Sequence, residues 1–220
     1  MNILAVFFDF DGVIVDSEPL HWRAFSRVLE PEGLAFGWDE YRRAYIGFDD
    51  RDVFRNLLAS AGRPREVRDI ECWIQRKAEA FQALAAAEPP PLYPGVLELL
   101  AGLRGRARIG LCTGALQDDV RPILESRNLS AYFEVRVTAD DVPASKPDPA
   151  CYRLALERAG ARGGVAIEDT PAGIQAARAA GLRVLAVATT HDRAELQPAE
   201  RIVSRLDEVS ADEVLDMAAS

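Results

Sequence analysis

Two carboxylates stand two residues apart, Asp9 and Asp11, where an apolar run from Ile3 to Phe8 gives way to Gly12. If that run is a strand, it must end there for the glycine to turn. One carboxylate can then face a bound molecule in line while the other lies beside it, an arrangement suited to nucleophilic and proton-transfer chemistry. Acids can equally do no more than end a strand. Three further segments have comparable potential. Thr113 and Gly114 follow the apolar run Ala107 to Cys112 and precede a helix expected from Leu116. A hydroxyl and backbone N–H groups at such a turn can cradle phosphate oxygens, though Thr and Gly are also ordinary turn residues. Lys146 sits between Ser145 and Pro147, in a loop pinned by Pro147 and Pro149, where an ammonium could neutralise an anion and a nearby carboxylate together. Glu168 and Asp169 end the run Val165 to Ile167, with Pro171 suited to the first turn of the next helix. They could cap that helix, or they could bring a second pair of acids to the same edge.

Four acids meeting at one edge repel. A pair 4 Å apart costs on the order of 4 kcal/mol at an effective dielectric of about 20, so something cationic must sit among them. Magnesium fits, because it takes hard oxygen ligands and commonly combines a few carboxylates with waters and a substrate phosphate. Cys112 is better suited to a small buried hydrophobe than to a nucleophile, since no partnered histidine is evident.

The elements that must position these groups follow from the apolar pattern. Short apolar runs without period-2 alternation recur at Ile3 to Phe8, Ala107 to Cys112, Val135 to Val137, Val165 to Ile167 and Val184 to Ala188, as in strands buried on both faces. Helical patterns lie between the later ones, Pro149 to Ala159 and Pro171 to Ala180, with Gly160 and Gly181 as stops. This is the rhythm of an α/β fold, a Rossmann-like parallel sheet with crossover helices. One stretch breaks it: from about Glu18 to Glu88 the sequence is rich in Ala, Arg and Glu with no convincing strand. We expect an inserted α-helical cap over residues 18–88, left through Pro89, Pro90 and Pro91, and a discontinuous α/β core made of residues 1–17 and 89–220.

The 220 residues can bury a sizeable core, and 49 % apolar with 28 % charged residues is ordinary for a globule. A net charge of −9 argues against a nucleic-acid surface, which needs clustered Lys and Arg. Cys72, Cys112 and Cys151 are odd in number and form no CxxC, so neither a disulfide framework nor a zinc knuckle is suggested. The N-terminal apolar run is too short to span a bilayer and lacks the lead of a signal peptide. A cytoplasmic location, no membrane contact and a monomer or weak dimer are the expectations.

The segment FDFDGVIVDS (Phe8 to Ser17), followed in order by LCTGA, SKPDP and IEDTPAGIQAARAAG, resembles the haloacid dehalogenase-like superfamily, in the branch containing β-phosphoglucomutase and phosphoglycolate phosphatase. The resemblance spans nearly the whole chain, and the ordered set is far more specific than any one motif. It implies that Asp9 is a nucleophile carrying an aspartyl-phosphate and that Asp11 is the general acid and then base. It implies that Thr113, Gly114 and Lys146 hold the phosphoryl group. Glu168, Asp169, the Asp9 carboxylate and the Asp11 main-chain carbonyl would hold Mg2+. Dehalogenase members lack a carboxylate at the position of Asp11, so phosphate chemistry is implied. The helical insert is similar to the small cap of this branch; His21 matches a cap-entry histidine and Lys77 a cap lysine of the mutase. Where that mutase has a phosphate-binding arginine, this chain has Asp50, with Arg51 one place later.

The expectation is a magnesium-dependent phosphatase of a small phosphorylated metabolite such as a sugar phosphate, with a hexose-phosphate mutase as the alternative. The two differ in the acceptor. A receiver-type signalling domain, from another class, also uses acids, a Thr and a Lys at a sheet edge. Such a module is usually little more than half this length, and it lacks the paired acids on the first strand and the insert after it.

Overall fold

The computed structural model of the chain describes residues 4–48, 50–63 and 67–219. The first strand, β1 (Ala5–Phe8), reads Ala-Val-Phe-Phe with every side chain buried. Such a run must be covered on both faces, which crossover helices of a parallel sheet provide. Ile3, expected in this strand, lies outside the described residues. The chain then forms α1 (Glu18–Leu29), α2 (Trp38–Ala44), α3 (Asp50–Ser60) and α4 (Val67–Ala87). It continues through α5 (Val96–Leu103), β2 (Arg108–Cys112), α6 (Gln117–Ser126) and β3 (Val135–Val137). The last part holds α7 (Ala150–Ala159), β4 (Val165–Glu168), α8 (Pro171–Ala179), β5 (Arg183–Val187), β6 (Arg201–Val203) and α9 (Ala211–Ala219).

All neighbouring strands are parallel, in the order β3-β2-β1-β4-β5-β6, so the fold is α/β and Rossmann-like. From β1 the chain builds outward to β3, then returns to the other side of β1 for β4. That reversal opens a crevice beyond the carboxyl ends of β1 and β4, where open parallel sheets bind ligands. The register pairs Phe8 with Leu111 on one side and with Ile167 on the other. The strand ends therefore lie side by side, with Asp9 just past β1, Cys112 ending β2 and followed by Thr113, and Glu168 ending β4 and followed by Asp169. The short strand β6 is an addition to the expected five. Its three residues, two of them partly exposed, give no apolar run to detect.

The chain divides into two compact units, Met1–Asp16 with Pro91–Ser220, and Ser17–Pro90. The sheet unit is cored by side chains such as Phe7, Val137, Tyr152, Ile174 and Leu196. In the helical unit α1 buries Leu20, Ala24, Phe25 and Val28, a helical stripe. The Phe25 ring meets Phe36 and Phe54 edge-on at centroid distances of 6.3 and 5.2 Å, so aromatic packing supplies much of this small core. Along α4 the buried stripe Ile70, Trp73, Phe81, Leu84 also contains Lys77, which is 2 % exposed. Among the described residues no helix is long and apolar enough to cross a membrane.

Candidate active site

The end of β1 is tied to β4 by Asp9 N, which donates to the Ile167 carbonyl at 3.0 Å. The next residues turn tightly: Ile14 N and Val15 N both donate to the Phe10 carbonyl, at 2.9 and 3.2 Å, and Gly12 N donates to the Val15 carbonyl at 3.0 Å. Gly12 holds a φ of 78°, and a Cβ there would stand 2.0 Å from Asp169 Oδ2. Backbone conformation and the acid behind it both demand glycine. On the β4 side Thr170 caps α8, accepting from Gly173 N at 3.0 Å. A Cβ on Gly173 would fall 1.9 Å from Glu168 Oε2. Each of these carboxylates thus occupies space that a glycine leaves open.

Asp9, Glu168 and Asp169 are all buried and each offers an oxygen within 4.8 Å of the others'. Lys146 reaches into the same group. Its Nζ donates to Asp9 Oδ1 at 2.8 Å, to Glu168 Oε1 at 2.5 Å and to the Cys112 carbonyl at 3.0 Å. The peptide bond that follows, Lys146–Pro147, is cis. Burial pushes the Asp9 carboxyl up to about 7; Lys146 pulls it back, while Glu168 and Asp11 push it further. Burial opposes the charge of Lys146, yet Asp9 and Glu168 hold its ammonium well above the usual lysine range. With all three acids ionised, three carboxylates against one ammonium leave two negative charges to balance. The donors are hard oxygens, buried and converging, so the set fits a small divalent cation, magnesium foremost.

Asp11 lies outside this triad and is partly exposed, close enough for its charge to act on Asp9. Thr113 is buried, and its Oγ1 accepts from Ala115 N at 3.0 Å. With Gly114, Ser145, Lys146 and Cys151 it lines a cavity of about 200 Å³. The sheet unit therefore brings Asp9, Thr113, Gly114, Lys146, Glu168 and Asp169 to one edge.

The three residues singled out in the insert have partners within the helical unit. Lys77 Nζ donates to Asp50 Oδ1 at 2.7 Å and to His21 Nδ1 at 2.8 Å. An ammonium has no acceptor, so this contact leaves the His21 proton on Nε2. The His21 ring stacks on Phe81 at 4.3 Å, and Lys77 lies over Phe25 and Phe81 at 4.8 and 5.5 Å. Arg51 instead faces Glu71 at 3.7 Å, with the two side chains 38 % and 57 % exposed.

Two residues of this region are not evident from the sequence. Tyr152 on α7 donates to Glu168 Oε1 at 2.5 Å. Thr190, just after β5, donates its hydroxyl to the Asp169 carboxylate and lies 3.2 Å from the Asp169 carbonyl. Neither belongs to a charged motif. The one signal for Tyr152 is a phenol on an apolar helix stripe, which must find a partner when buried.

Comparison with known proteins gives a consistent relation. The sequence model of the family described as haloacid dehalogenase-like hydrolase matches residues 6–187. A phosphorylated carbohydrates phosphatase of Thermotoga maritima is 33 % identical over 81 % of this chain and 82 % of its own length. The fructose-1-phosphate phosphatase of Escherichia coli is 32 % identical over 80 % of this chain and 91 % of its own. Among solved structures, CbbY from Rhodobacter sphaeroides in complex with phosphate superposes with a TM-score of 0.87 at 28 % identity, covering 97 % of this chain and 99 % of that one.

Proposed function

The chain belongs to the haloacid dehalogenase-like hydrolase family, and from its site we propose that it is a magnesium-dependent phosphatase of sugar phosphates or similar small phosphorylated metabolites. The observation that carries the proposal is the convergence of Asp9, Glu168 and Asp169, the first two paired with the Lys146 ammonium, at the switch point of the sheet. The names of the relatives, phosphatases of phosphorylated carbohydrates and of fructose 1-phosphate, support the substrate class.

In this proposal Asp9, Glu168 and Asp169, with the Asp11 main-chain carbonyl, would hold the cation. Magnesium, when bound, would neutralise charge on the phosphoryl oxygens and on the acids. Thr113, Gly114 and Lys146 hold the phosphoryl group in the cavity that they line. An Asp9 carboxylate oxygen attacks phosphorus as the ester P–O bond breaks, and Asp11 gives its proton to the leaving oxygen, releasing an alcohol. Asp11, now a carboxylate, takes a proton from water. That water's oxygen bonds to phosphorus, the Asp9–phosphorus bond breaks, and orthophosphate leaves. Positioning and charge neutralisation provide most of the acceleration.

His21, Arg51 and Lys77 remain proposed substrate-reading residues. Of the three, His21 is favoured, because Asp50 already neutralises Lys77 and Glu71 faces Arg51.

The test is turnover of a panel of phosphorylated metabolites with magnesium, following free phosphate and isomer formation together. Phosphate release is expected, lost in Asp9→Asn by roughly 10³-fold or more. Asp11→Asn is expected to slow leaving-group protonation and water activation while the fold is kept. Isomerisation with almost no phosphate release would instead establish the mutase reading.

A further inference from the structure

Tyr152 is fully buried on α7, yet its hydroxyl turns out of the apolar core and donates to Glu168 Oε1 at 2.5 Å. Lys146 Nζ donates to the same oxygen at 2.5 Å and rests 5.1 Å from the centre of the Tyr152 ring. The other oxygen is differently placed. Oε2 receives a long 3.4 Å contact from the Thr170 hydroxyl, and Gly173 leaves room for the carboxyl group as a whole, since a Cβ there would stand 1.9 Å from Oε2 and 2.2 Å from Oε1. Two charge-assisted donors on one oxygen fix the twist of the carboxylate plane. An oxygen that already accepts from two donors is a poorer cation ligand than its partner.

We propose that Tyr152 is a positioning residue: its hydroxyl, acting with Lys146, holds Glu168 as a one-oxygen ligand and biases the acidic cluster toward magnesium over calcium. Magnesium takes near-octahedral, single-oxygen contacts at about 2.0–2.1 Å, whereas calcium readily accepts both oxygens of a carboxylate at about 2.3–2.6 Å. The proposal rests on Asp9, Glu168 and Asp169 being a cation site. A phenylalanine would fill the core equally well, so the hydroxyl is the part of Tyr152 that acts on Glu168.

The experiment is calorimetric titration of the full chain with magnesium and, separately, with calcium, alongside metal-free melting. Tyr152→Phe keeps the ring and removes the hydroxyl. It is expected to weaken magnesium binding by about 10-fold, the scale for partners that orient a ligand, and to lower the preference for magnesium over calcium. Glu168→Gln gives a second reading that leaves Tyr152 untouched. Tyr152 and Lys146, both donors, would draw the amide oxygen to themselves and turn the amide N–H groups toward the cation. That variant is therefore expected to bind magnesium no better than Glu168→Ala does. Unchanged magnesium affinity and cation preference in Tyr152→Phe, or tighter binding by Glu168→Gln than by Glu168→Ala, overturns the role of Tyr152 while leaving the cation site standing. A wild-type chain that binds neither cation overturns both.

Discussion

The two glycines beside the acids connect single residues to the chemistry. Gly173 lies in the first turn of a helix, where alanine would ordinarily gain about 1 kcal/mol from backbone propensity. Here its Cβ would stand 1.9 Å from Glu168 Oε2, so the carboxylate or the helix must move. We expect Gly173→Ala to destabilise by about 1–3 kcal/mol, as overpacking does, and to raise the magnesium concentration needed for activity. A variant that melts like the wild type and needs no more magnesium would mean that Glu168 has freedom this geometry denies it. At this scale the four motifs were legible in the sequence, because acids at the ends of buried runs are costly unless something cationic meets them. Tyr152 and Thr190 were not. Their types are ordinary where they stand, and their partners lie 16 and 21 residues away in the chain, reached through folding alone.

At the scale of elements, the strands that flank the site were readable because they are short and continuously apolar. Gly160 and Gly181, both in the left-handed region, stand at the ends of α7 and α8 as their positions suggested. The weakly buried β6 was invisible for the opposite reason. Lys77 is instructive: a lone lysine on a helix is usually solvated, but this one falls on the same stripe as Ile70, Trp73, Phe81 and Leu84. That spacing predicts burial, and burial demands a counter-charge, supplied by Asp50 from α3. Asp50→Ala would leave the ammonium, 3 % exposed at its side chain, with His21 alone as a polar neighbour among these partners. We expect a loss on the order of 2 kcal/mol, below the usual penalty for breaking a fully buried pair because Asp50 is itself 30 % exposed. Urea denaturation measures it; a midpoint unchanged from the wild type would contradict the pairing.

Across the whole molecule, chain order and sheet order combine to make one site. Asp9 and Lys146 are separated by 137 residues, yet they are 2.8 Å apart, because β1 occupies the centre of the sheet. The chelated protein should lose turnover and melt earlier, and magnesium should restore both. The dependence on pH follows from Asp9, whose carboxyl is raised by burial from 3.8 to about 7. A carboxyl raised on folding stabilises the fold below its ordinary value, and that contribution is lost as pH rises through about 7. Metal-free protein should therefore be less stable at about pH 8 than at about pH 6, and magnesium should raise its melting temperature more at the higher pH, where no proton competes for the acid. Equal increments at the two values would contradict this linkage.

The central claim is that Asp9 itself carries the phosphoryl group. It is tested most directly by mixing the enzyme and magnesium with a phosphate-labelled sugar phosphate, quenching rapidly in acid, and locating the label by peptide mapping. The label is predicted on the peptide containing Asp9, with neither label nor turnover in Asp9→Asn. Label on another residue, or turnover in Asp9→Asn equal to the wild type, would contradict the account.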